Sequence, residues 1–114
     1  MAKNLILFGH SGFDLTNYKS LTKIAYNSTD CVVVLMEDGV NGVIKPSNIQ
    51  NENIASDFTP YKEILEKNIP FYCVVEDLEA RGFESTQLKS GIKPLSYLEL
   101  IDLIETSNRV ISLL

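Results

Sequence analysis

Apolar residues in this chain come in two rhythms, short unbroken runs and helix-spaced stripes, and the two alternate. Leu5-Ile6-Leu7-Phe8 is an unbroken run ended by Gly9, the pattern of a strand buried on both faces. Cys31-Val32-Val33-Val34-Leu35-Met36 repeats it and halts at Glu37-Asp38-Gly39. Ile69 to Val75 is a third such run, and Arg109-Val110-Ile111-Ser112-Leu113-Leu114 is the last. Between the first two, Leu15, Tyr18, Leu21, Thr22 and Ala25 recur at helical spacing with Ile24 beside them. That stripe predicts a helix capped by Asp14 or Thr16 and running to about Asn27.

The remaining connections are predicted in the same way. Val40 to Ile44 reads as a short extension or bulge. Residues from about 45 to 57 are rich in Asn, Ser and Pro without periodicity, and predict a surface loop that is long for so small a chain. Asp57 or Thr59, with Pro60 early, opens a helix through Ile64 and Leu65 to Asn68. Glu76 to Arg81 is a short helix stopped by Gly82, and Phe83 to Lys89 is a connecting turn. Gly91-Ile92-Lys93-Pro94-Leu95 suits an edge strand, because Pro94 has no N–H to give a ladder. Ser96 with Glu99 forms a capping box for a final helix whose Tyr97, Leu100, Ile101 and Ile104 share a face. Strands alternating with helices predict an α/β fold: one three-layer α/β/α domain over 1–114 around a mostly parallel sheet of about five strands.

Composition narrows the function classes more than the fold. A chain of 114 residues, 45% apolar, can bury one core without disulfides or metals, and it is not a disordered segment. Its net charge of −5 and lack of any Lys/Arg cluster argue against a direct nucleic-acid grip. Two cysteines and one histidine give neither a disulfide framework nor metal-ligand spacing, so no metal and no cofactor are expected. The first apolar run is too short for a signal-peptide core or a membrane span, and the expectation is a cytoplasmic protein with reduced thiols.

Candidate chemistry concentrates in Phe71 to Gly82, where an apolar strand carrying Cys73 meets a short acidic helix closed by Arg81-Gly82. Ligands collect where strands end and helices begin in open α/β folds, which makes Cys73 the candidate nucleophile. A phosphatase or rhodanese-type loop needs an arginine about six positions after the cysteine. Here Arg81 lies eight on, with Glu76, Asp77 and Glu79 between, and those carboxylates repel an anion and raise a thiol pKa. A phosphate-accepting receiver domain needs acids after the first strand, where this chain has Gly9-His10-Ser11. With one hydroxyl and no lysine, Gly9 to Gly12 reads better as a tight turn than as a phosphate loop. His10 sits at the sheet edge, where it could act as an acid or base, but with no partner in sequence it reads rather as a loop histidine. Cys31 opens a buried strand and reads as a small apolar residue. Glu37, Asp38 and Gly39 form a turn or a partner-facing edge, while Asp77 and Arg81 suit the two ends of the short helix.

Met36-Glu37-Asp38-Gly39-Val40, Tyr72 to Gly82 with its Glu-Asp-Leu-Glu-Ala-Arg-Gly core, Ile92 to Tyr97, and the helix leading to Asn108-Arg109-Val110-Ile111 together resemble the DsrH/TusB family. This is a branch of the DsrE/DsrF/DsrH sulfur-relay proteins. The resemblance spans nearly the whole chain, although the 45–57 loop is longer than in typical members. It implies a five-stranded α/β subunit that assembles with DsrE/TusD-like and DsrF/TusC-like chains into a heterohexamer. Such assemblies pass persulfide sulfur towards 2-thiouridine in tRNA or within sulfur oxidation. In that group the sulfur carrier is a cysteine of the DsrE/TusD-type subunit at the strand-to-helix edge before the Arg-Gly. Laying Arg81-Gly82 on that pattern puts the carrier position nearer Val74 than Cys73, which faces the other way on a strand. TusB-type members have a small apolar residue where Cys73 stands. Some DsrH members carry a first-helix cysteine, but Leu21 to Ala25 has none.

The expectation is therefore a partner subunit of a sulfur-relay assembly. Glu37, Asp38, Gly39, Glu76, Asp77, Arg81 and Gly82 would form its partner-facing or structural edge. Two alternatives stand beside it: a stand-alone sulfurtransferase using Cys73, and a self-associating α/β domain that binds a small ligand.

Overall fold

A computed structural model of the chain describes residues 3–45 and 59–114, so the predicted loop and the Asp57 cap lie, apart from Lys45, outside the described residues. Five strands, β1 (Asn4–Phe8), β2 (Cys31–Leu35), β3 (Phe71–Val74), β4 (Ile92–Leu95) and β5 (Arg109–Leu113), form one sheet in the order β4-β3-β2-β1-β5. Every pairing is parallel, which sharpens the expected mostly parallel sheet. Four helices connect the strands: α1 (Leu15–Tyr26), α2 (Lys62–Glu66), α3 (Val75–Ala80) and α4 (Tyr97–Thr106).

Topology explains the layers. The chain steps one strand sideways three times, from β1 to β4, then returns across the sheet to β5 beside β1. Right-handed crossovers put helices of the outward steps on one face and the helix of the return step on the other. The core divides in this way. Ile6, Phe8, Val33, Leu35, Phe71 and Cys73 pack with Tyr18 and Leu21 of α1, Ile64 of α2 and Leu78 of α3. Their alternates Leu5, Leu7, Val32, Val34 and Val74 pack with Leu100 and Leu103 of α4. Both faces of β1 and β2 are covered, which is why their sequences are unbroken apolar runs.

Caps follow the local sequence closely. Asp14 accepts from the Asn17 N–H, and Ser96 and Glu99 exchange side-chain and backbone bonds at the start of α4. β4 is the edge strand its Pro94 predicts. Several boundaries differ from expectation. The extension expected after Gly39 is instead a 3-10 turn over Glu37–Val40, and Ile44 makes a single antiparallel bridge to Leu88. The turn at 83–89 contains a 3-10 turn, Ser85–Gln87, with a capping box between Glu84 and Gln87. β3 is shorter than Ile69–Val75 because Pro70 lacks an N–H and Val75 already belongs to α3, so Arg81 becomes the C-cap. α2 has no Thr59 side-chain cap; it begins after Tyr61, whose backbone is left-handed with φ +67°.

Tyr61 shows why that backbone is held. A bulky residue at positive φ is strained, and such strain persists only where surrounding contacts fix it. The fully buried Tyr61 ring meets Phe8, Tyr18 and Phe71 with centroids 6.3, 5.8 and 5.6 Å apart. Its hydroxyl donates to the Gly39 carbonyl at 2.7 Å.

Lys89 ties the two sides of the predicted loop. Its backbone N–H donates to the Val43 carbonyl at 2.8 Å, and its Nζ donates to the Pro60 carbonyl at 3.0 Å. Burial pulls the amine down from 10.5 to about 8. Between these values the unfolded chain holds more protons than the folded one, so this group adds stability as pH rises from about 8 to 10.5. Lys89→Met should remove that gain: urea midpoints of wild type minus variant should climb across the window. A flat difference would contradict the burial of the charge.

Candidate functional site

The carboxyl ends of β2 and β3 carry most of the residues singled out above, and one hydrogen-bonded network joins them. β2 runs into the Glu37–Val40 turn and β3 into α3, so the two acidic segments meet side by side. Asp77 stands in the middle. Its Oδ2 accepts the Glu37 N–H at 2.7 Å, and its Oδ1 accepts a short hydrogen bond from the Tyr97 hydroxyl. Glu37 has φ +50°, a conformation that aims its N–H at that carboxylate. Arg81 reaches back from the end of α3, donating to Asp38 Oδ1 at 2.8 Å and to the Asp77 carbonyl at 3.1 Å. The Glu76 carboxylate accepts the Tyr97 N–H at 3.2 Å, so an acid of α3 satisfies a donor at the start of α4.

Two glycines of the pattern serve different ends. Gly39 lies against β1, where a Cβ would stand 2.3 Å from the Phe8 carbonyl oxygen. Gly82 has open space around it, but its φ of +81° suits glycine as the stop of α3. The structure thus brings Glu37, Asp38, Gly39, Glu76, Asp77, Arg81 and Gly82 to one edge. His10 stands apart: its ring meets the edge of Phe8 at 6.0 Å. Asp14, held below the usual carboxylate range mainly by Asn17, is lowered further by His10.

Tyr97 is the member that sequence reasoning missed, having read it only as part of the apolar stripe of the last helix. The residue is 40% exposed, and its hydroxyl is pushed up to about 12, first by the bond to Asp77 and then by desolvation. A signal was present: as the residue after the Ser96 cap it occupies the first turn of α4, next to the end of β4, which pairs with β3.

Chemically this edge is a latch. Both Asp77 oxygens and two Arg81 nitrogens are engaged, so Asp77 is not a free base and the Arg81 guanidinium fork is not open. Four carboxylates around one arginine form a surface that repels anions, which argues against a phosphate or oxyanion cradle.

Cys73 lies on the apolar face beneath this edge, fully buried, in the cluster with Phe71, Tyr61 and Leu78. Burial pushes the thiol up from 9.0 to about 12; the Asp77 charge adds to the rise and Arg81 opposes it. A persulfide carrier needs an accessible thiolate, and burial opposes both access and ionisation at this position. The strand period that places Cys73 near the edge in sequence turns its side chain into the core, the packed position expected of it as a small apolar residue. Val74, nearer the carrier position of related proteins, is equally buried on the opposite face, under α4. Cys31 is buried at the start of β2, its Sγ 3.6 Å from the Ala25 carbonyl, and burial raises its pKa too. Since Cys73 pairs with Leu35, Cys31 is four positions down the neighbouring strand, roughly 13 Å along it, too far for a disulfide.

Two hollows lie at the other end of the sheet. One of about 440 Å³ is walled by Tyr26, Ser28, Asp30, Cys31, Lys67 and Asn68, and another of about 270 Å³ by Leu65, Ile69, Tyr72, Gly91 and Lys93 among others. Neither reaches the Asp77 network. Among the described residues no helix is long and apolar enough to cross a membrane.

No curated protein sequence matches the chain. Among solved structures it is similar to the ychN protein of E. coli, with a TM-score of 0.66 and 19% identity over 98% of this chain and 99% of that one. At that identity the likeness concerns the fold, and it extends over both chains almost end to end. The family described as DsrH like protein matches residues 10–110, a span that takes in the Glu37-Asp38-Gly39 turn, the Cys73 to Gly82 segment and α4. The chain therefore belongs to the DsrH-like family of sulfur-relay proteins.

Proposed function

We propose that this chain is a partner subunit of a sulfur-relay assembly, contributing surfaces while another subunit carries the persulfide. The observation that carries this reading is the burial of Cys73: a thiol without exposure and with its pKa at about 12 is a poor acceptor of sulfur. The cross-linked acidic edge supports it, since its side chains hold α3, α4 and the 37–40 turn together and commit Asp77 and Arg81 to those contacts. Membership of the DsrH-like family supports the setting: assembly with DsrE/TusD-like and DsrF/TusC-like chains in the cytoplasm, serving tRNA 2-thiouridine formation or sulfur oxidation.

The test is intact-mass analysis of the chain co-purified with DsrE-like and DsrF-like chains from the same genome, after exposure to a cysteine desulfurase and cysteine. The expected result is a stable complex in which a partner gains one sulfur atom and this chain gains none. A sulfur on Cys73 of this chain, abolished by Cys73→Ser and retained in Cys31→Ser, would restore the sulfurtransferase reading. Failure to co-purify would remove the partner-subunit reading.

A further inference from the structure

α4 departs from the pattern of a helix that only closes a sheet. It buries Leu100 and half-buries Leu103, yet turns Leu98, Ile101, Tyr97 and Ile104 outward, at 76, 50, 40 and 37% exposure. α1, on the other face, sinks Tyr18, Leu21 and Ala25 and exposes mostly polar residues between its two ends. The apolar surface does not end with the helix. Val110 of β5 pairs with Leu5, a member of the cluster under α4, so its side chain lies on the α4 face, and it is 41% exposed at the edge of the sheet. Exposed apolar side chains scattered singly are ordinary; a run of them along one helix and onto the next strand marks an interaction surface.

Charge decides what fits it. The charged residues of α4 are Glu99, Asp102 and Glu105, all exposed and all acidic. A second copy docked on this face would set six such carboxylates against one another in a chain of net charge −5. An acidic membrane surface is disfavoured for the same reason.

We propose that the outer face of α4, continued by Val110, docks a different protein chain whose apolar surface is rimmed by lysine or arginine. The apolar centre supplies the buried contacts and the acidic rim steers approach and excludes self-pairing. Tyr97 joins this face to the Asp77 network, so a partner seated on α4 lies beside the edge formed by α3 and the 37–40 turn. The inference rests on the partner-subunit reading and adds the face on which the partner sits.

The experiment uses the full chain co-expressed with DsrE-like and DsrF-like chains of the same genome. It compares wild type with the surface double variant L98D/I101D, the rim variant D102K/E105K, and Lys19→Glu on α1 as a control. Circular dichroism and melting temperature report that each variant is folded. The inference expects L98D/I101D to weaken association about tenfold or more, D102K/E105K to weaken it most at low salt, and Lys19→Glu to leave it unchanged. Wild-type association that survives L98D/I101D overturns the docking face while leaving the partner-subunit reading intact. Absence of wild-type association removes both. If the chain alone self-associates and L98D/I101D makes it monomeric, the occupant is a second copy and the inference is wrong.

Discussion

Gly39→Ala is expected to destabilise the fold by roughly 3 kcal/mol, the upper part of the range for forcing an extra methyl into a packed site. The added Cβ would meet the Phe8 carbonyl oxygen at 2.3 Å, and backbone cannot rotate aside as a side-chain tip can. That carbonyl also accepts the Met36 N–H at 3.0 Å, and the Gly39 carbonyl accepts the Tyr61 hydroxyl at 2.7 Å. Moving the turn outward would therefore strain the end of β1, the entry to the 37–40 turn and the ring cluster around Tyr61 together. In thermal unfolding the loss corresponds to a fall in Tm of about 10 °C or more. Gly82→Ala is the comparison, since it meets no neighbour and pays only for a left-handed backbone, about 1 kcal/mol. Similar unfolding free energies for Gly39→Ala and wild type would mean that the turn does not press on β1 as described.

Cys73 should be inert to alkylation in the folded protein. A thiol moved from 9.0 to about 12 carries roughly a thousandth of the ordinary thiolate at neutral pH, before exclusion of the reagent by the core is counted. With iodoacetamide near pH 7.5, native protein should leave Cys73 unmodified over a period in which urea-unfolded protein reacts fully, as read by peptide mass spectrometry. The same burial has a pH consequence. Between 9.0 and about 12 the folded chain holds the thiol proton that the unfolded chain releases, so this group's contribution to stability falls as pH rises through that window. Cys73→Ala should flatten that part of the profile. Labelling of native Cys73 at a rate near that of the unfolded chain would reopen the nucleophile assignment.

Comparison of these two residues shows what a linear reading can reach. Gly39 was identifiable as the end of a turn from Glu37-Asp38-Gly39, but the reason only glycine fits is the Phe8 carbonyl, thirty-one positions earlier in the chain. Cys73 was identifiable as a residue of a strand near its carboxyl end. Which face it takes depends on the register of β3 against β2 and on helices packed from elsewhere. Glu37 and the Asp77 to Arg81 stretch stood out as two charged segments, and nothing local to either says that they meet. Their assignment as a mutually satisfied latch required Tyr97, twenty positions further on. α4 was legible as a capped amphipathic helix, yet of its stripe, Tyr97, Leu100, Ile101 and Ile104, only Leu100 is buried. Periodicity shows that apolar residues share a face and does not say whether this chain or another covers it.

By itself the sequence determined the alternation of buried strands and helices, the caps of α1 and α4, the blunt Pro94 edge and the acidic character of the chain. These follow from local forces: the period of side chains along each element, the hydrogen-bonding needs of helix ends, and the fixed geometry of proline. The tertiary structure alone decided that Cys73 is buried, that Asp77 is held between Glu37 and Tyr97, and that α4 keeps an apolar face outward. Those outcomes depend on contacts between residues distant in the chain, where burial sets the thiol's protonation and neighbouring donors occupy the carboxylates.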